Sequence, residues 1–125
     1  MTKNAEISEK TIKNLIELHQ FRKKVFDAKS TEELKIVAKS ILESFINKEP
    51  SQISLSDGTT KTDNKGKSLI LDALKNDIIS LENNGYSDLK NEKFAISSDI
   101  AMLMGVFSHL GIEKIIEIIE GKASR

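Results

Sequence analysis

The sequence predicts an α+β fold, with long N- and C-terminal helices packed on a small antiparallel sheet. Three observations lead there. Both ends of the chain carry apolar residues at helical spacing. The middle changes to alternating polar and apolar residues around an Asp-Gly pair. Two short runs, Ile78–Leu81 and Phe94–Ile96, supply further strand candidates. If those runs are helical instead, the alternative is an all-α bundle of four or five helices with a protruding β-hairpin.

Residues 1–7 are expected to form a flexible lead. Ser8 is placed to cap a helix running to about Ala28, with Ile12, Leu15, Ile16, Leu18, Phe21, Val25 and Phe26 as its apolar set. That set is wider than one stripe. Ser30-Thr31-Glu32-Glu33 is a capping box: the Ser30 hydroxyl takes the Glu33 amide and the Glu33 carboxylate reaches back. Leu34, Val37, Ala38, Ile41, Leu42 and Phe45 then repeat at helical spacing until Pro50 closes the segment.

Ser51–Ser56 alternates as a strand, with Ile53 and Leu55 as its apolar residues. Asp57-Gly58 predicts a type I′ hairpin turn, which needs positive φ at both central positions. The returning strand, Thr59–Thr62, has no large apolar residue, and Asp63–Gly66 reads as loop. Ser68–Lys75 opens helically with Ile70, Ala73 and Leu74 on one face. The helix then either continues or yields to a strand at Ile78–Leu81, before Asn83-Asn84-Gly85 stops it. Tyr86–Glu92 reads as loop and Phe94–Ile96 as a short strand. Ser97, Ser98 and Asp99 are placed to cap a final helical run through Ile100, Leu103, Met104, Phe107 and Leu110. Gly111 permits a bend, Ile112, Ile115, Ile116 and Ile119 continue the apolar face, and Gly121 ends it.

At 125 residues the chain has the length of one domain, 1–125. Its 19 basic and 19 acidic side chains cancel, so no field of one sign draws in nucleic acid, acidic substrates or a membrane. The early basic residues Lys10, Lys13, Arg22, Lys23, Lys24 and Lys29 are interrupted by Glu9, Glu17 and Asp27 and read as a solvated helix face. With no tryptophan and one tyrosine, stacking platforms for single strands are not expected. The absence of cysteine removes thiolate chemistry and fits a reducing compartment. With no secretory signal and no membrane-spanning run, the expected location is cytoplasmic.

The stretch DGTTKTDNKGKS, from Asp57 to Ser68, ends in the Gly-Lys-Ser of a phosphate loop. Such a loop needs a second glycine five positions before Gly66, and that position is Lys61. Asp57, Asp63 and Asn64 lack the alternating ligands and closing glutamate of a calcium loop. His19 reads as a half-buried packing residue. His109 and Glu113, one turn apart, lack a third metal ligand. No Gly-x-Ser-x-Gly elbow is present. The chain is therefore expected to be no enzyme, with no catalytic, cofactor-binding or metal site and no cofactor.

Met102, Met104 and Phe107 near Gly105 read as core rather than as an adaptable binding surface. The isoleucines are more informative, because Ile118 falls off the main stripe and widens the terminal helix. Both end helices are broader than a monomer of this size needs. The expected site is therefore a homodimer interface made by Leu15, Leu18, Phe21, Val25, Ile112, Ile115, Ile116 and Ile119. The expected function is a non-catalytic regulatory or sensory module acting by association. The alternative is a small helical adaptor or inhibitor that binds another macromolecule.

NLIELHQFRKKVFDAKSTEELKIVAKSILESF followed by QISLSDG resembles the opening of a GAF-type sensory domain. SLILDALKNDIISLEN is similar to that family's middle helix and strand, and FAISSDIAMLMGVFSHLGIEKI to its closing helix. The family's later central strands have no counterpart between Asn83 and Phe94, and its chromophore cysteine is absent. The resemblance therefore implies a reduced signalling module for dimerisation or signal relay, and a small-molecule ligand is not expected.

Overall fold

The computed structural model describes residues 9–50, 52–54, 56–83 and 88–123. The elements run α1 (Glu9–Asp27), α2 (Thr31–Phe45), β1 (Gln52–Ser54), β2 (Thr60–Thr62), α3 (Asn64–Asn83), α4 (Leu89–Ser108) and α5 (Ile112–Ala123). Helix α4 is the hub, packing against α1, α2, α3 and α5. This is the helical bundle with a hairpin, and it overturns the α+β expectation. The sheet has two strands only, and among the described residues no helix packs on it. Leu55 and the side chain of Ile53, the apolar residues meant to anchor a sheet, lie outside the described residues, as do the expected lead at 1–7 and the cap at Ser8.

Both extra strand candidates are helical. Ile78–Leu81 continues α3 because Ile70, Leu71, Leu74, Ile78 and Leu81 form one buried stripe at helical spacing. Phe94–Ile96 lies inside α4, which starts five residues before Phe94: the Asp88 side chain accepts from the Lys90 amide at 3.0 Å. Ser97, Ser98 and Asp99, expected as caps, therefore sit in mid-helix. Local propensity favoured a break there, but Ile96, Ile100, Leu103 and Phe107 are buried along one uninterrupted stripe that only a continuous helix provides.

Other boundaries follow the chain's capping chemistry. The Ser30 hydroxyl accepts from the Glu33 amide at 3.1 Å, and Glu33 reaches back to the Lys29 amide at 3.4 Å. The hairpin pairs Ser54 with Thr60 and Gln52 with Thr62, and Ser56–Thr59 lie in its connection. It is thus not a two-residue type I′ turn. Among the described residues of the connection only Gly58 has positive φ, at 89°, while the Asp57 carboxylate accepts from the Thr59 amide at 3.0 Å and its hydroxyl at 2.6 Å. At the other end His109 takes the left-handed conformation (φ 59°) that closes α4, and Gly121 falls within the last turn of α5.

Packing explains the breadth of α1, which touches α2, α4 and α5 and so needs apolar residues on several sides. Phe21, Phe45 and Phe107 tie α1, α2 and α4 together edge to face, with ring centroids 6.5 and 5.2 Å apart. Beside them Glu17 on α1 accepts from Ser44 at 2.5 Å and from Lys48 at 2.6 Å. Among the described residues no single helix is long and apolar enough to cross a membrane.

Candidate functional site

The Gly-Lys-Ser stretch has a structural role. Asp63 caps α3, its carboxylate accepting from the Gly66 amide at 2.9 Å. The expected loop at Asp63–Gly66 is therefore a cap and a first turn. A Cβ at Gly66 would lie 2.5 Å from that carboxylate, so glycine is what lets the cap close. Lys67 donates to the Ile46 and Lys48 carbonyls, at 2.8 and 2.6 Å, where α2 ends. The chain's own carboxylate occupies the helix start where a phosphate would sit, and the lysine is spent on another helix.

The expected interface residues mostly face inward. Leu15, Leu18, Phe21, Val25, Ile115 and Ile119 are all buried in the chain's own core. Ile116 is exposed, and the side chain of Ile112 lies outside the described residues. Ile115, Ile116 and Ile119 line a groove of about 240 Å³ with His19, Arg22 and Met104, between α1, α4 and α5. Burial first, then Lys23 and Arg22, holds the His19 imidazole below its usual range. His109 serves as the α4 cap, and among the described residues no group of three His, Cys, Asp or Glu side chains is placed to hold a metal.

The surface left open is the outer face of α4. From Phe94 to Leu110 the only Asp, Glu, Lys or Arg is Asp99, and it is buried. Phe94 is 72% exposed and Met102 49%, with Ser98 exposed between them and Ala101 and Gly105 half-buried alongside. Phe94, Ser98 and Met102 are spaced four apart and so share one face. An uncharged outward face is unusual in a chain of which 30% is charged.

The two flanks of that face differ in sign. On the α1 flank, Arg22 donates to the Ser97 hydroxyl at 2.8 Å and lies over the Phe26 ring, while Lys93 donates to the Phe26 carbonyl at 2.7 Å. On the α3 flank stand Asp77, Glu92 and Asp99. Asp99 is 6% exposed and its Oδ2 has no hydrogen-bond partner among the described residues. Burial first, then a side-chain hydrogen bond to Asp77 and its charge, push the Asp99 carboxyl up to about 8. Burial and Asp77 also raise Glu92. Sequence reading placed Asp99 as a helix cap and missed this cluster. The available signal was that Asp99 is the lone charge in the apolar run from Phe94 to Leu110.

No family model matches the chain, and no curated protein or solved structure matches it.

Proposed function

We propose that this chain is a non-catalytic regulatory module of the cytoplasm that acts by association, as a homodimer formed through the outer face of α4. The observation that carries the reading is the uncharged stripe from Phe94 to Gly105 with its two exposed large side chains. A second copy is favoured as occupant by the flanks. Arg22 and Lys93 lie on one side of the stripe, and Asp77 and Glu92 on the other. A two-fold axis running along α4 would lay each basic flank on the partner's acidic flank. An axis across α4 would oppose like charges, so the two α4 helices are expected to run parallel. Ser98, Ala101 and Gly105 would allow close approach.

This reading moves the dimer interface from the terminal-helix stripe to α4, because six residues of that stripe are already used inside the chain. Light scattering after size exclusion, over a hundredfold range of concentration, tests it. The expected result is a dimer for the wild type, a folded monomer for Phe94→Glu, and a dimer for Ile116→Glu. A wild type that stays monomeric throughout would refute the reading.

A further inference from the structure

We propose that the seam between α3 and α4 is a proton-held clasp: Asp99, buried with an oxygen that no donor reaches, keeps its proton and shares it with Asp77, and losing that proton loosens α3 from α4. The inference stands apart from self-association, since it concerns a seam inside one chain that a monomer would also carry.

The geometry comes first. Two carboxyl groups can hydrogen-bond only while one of them is protonated. Asp99 lies in mid-helix on the hub of the bundle, and its side chain is buried there. The charged groups on the surrounding elements leave it uncompensated. From α3 comes Asp77, and from α4 itself Glu92, both acidic. On α1, Arg22 is bound to Ser97 on the opposite flank. On α2, Lys39 pairs with Glu82 of α3 at 3.2 Å. On α5, Glu120 lines the groove between α1, α4 and α5. Among these groups Asp77 alone acts on Asp99 electrostatically. Ionising Asp99 therefore puts a second negative charge into a buried seam where, among the described residues of the same chain, no cation meets it.

The direction of the pH effect follows. Asp99 binds its proton more tightly in the folded chain, where it is pushed up to about 8, than in the unfolded chain. Unfolding therefore releases a proton between the ordinary carboxylate range and about pH 8. The stability is fully present below the unfolded value and is lost as pH rises through that window.

The test is urea unfolding and amide exchange of the full chain from pH 5 to 9, with Asp99→Asn and Asp77→Asn beside the wild type. The wild-type unfolding constant should rise by about tenfold per pH unit up to the folded midpoint. Amides at Leu74 and Ile78 in α3 should lose protection relative to Leu34 and Ile41 in α2, because the seam opens locally. Asp99→Asn should remove both trends. Asp77→Asn supplies an amide donor to ionised Asp99, so it should move the wild-type slope to lower pH. Parallel curves for wild type and Asp99→Asn would overturn the proposal, as would α2 and α3 amides that respond alike. If Asp99→Asn does not fold, an Asp77→Asn curve that superimposes on the wild type overturns it equally.

Discussion

The two flanks of α4 treat their polar groups in opposite ways. Toward α1, Arg22 meets Ser97 and Lys93 meets the Phe26 carbonyl, so each donor named has an acceptor. Toward α3, Asp99 meets another acid and leaves one oxygen without a donor. Helix and core are the same, so the difference lies in the partners. A satisfied buried group ties helices together whatever the pH, whereas an unsatisfied acid makes packing conditional on a proton.

Changes to what both flanks share should have the largest effect. Phe107→Ala removes the ring that meets Phe45 at 5.2 Å, and is expected to cost about 3–5 kcal/mol at every pH. Urea midpoints at pH 5 and pH 8 check it, and the loss should be equal at both. Next comes the α3 flank itself. The wild type should lose about 1.4 kcal/mol per pH unit on this flank from pH 5 toward the folded midpoint, and Asp99→Asn should not. Ser97→Ala on the α1 flank should cost about 1 kcal/mol through the unpaired Arg22 Nε, with no pH dependence over the same range. Away from both flanks, Lys67→Met should cost about 0.5–1 kcal/mol by freeing the carbonyls at the end of α2, with a unchanged pH profile in the same titrations.

The helices with strong caps were legible from the sequence. Ser30 and Glu33 mark the start of α2 because the hydroxyl, the carboxylate and the amides they serve are local. The helical stripes of α1 and α2 were also read correctly, because their apolar spacing admits no other regular structure. Helix α4 was misread at Phe94–Ser98, where β-formers followed by two serines imitate a strand and a cap. Burial against the neighbouring helices, which no local window contains, overrides that preference. The interface stripe failed for a related reason: residue spacing shows how much of a helix is apolar, but not whether another helix of the same chain covers it. Asp77 and Asp99 stand 22 positions apart, and nothing in either neighbourhood predicts that α3 and α4 bring them together.

The most direct measurement is a carbon-13 NMR titration of the Asp99 side-chain carboxyl in the intact chain. The account predicts a midpoint near 8, with amide shifts along α3 moving in step. An Asp99 carboxyl that titrates in the ordinary range near 4 would contradict it, and the α3 flank would then be as indifferent to pH as the α1 flank.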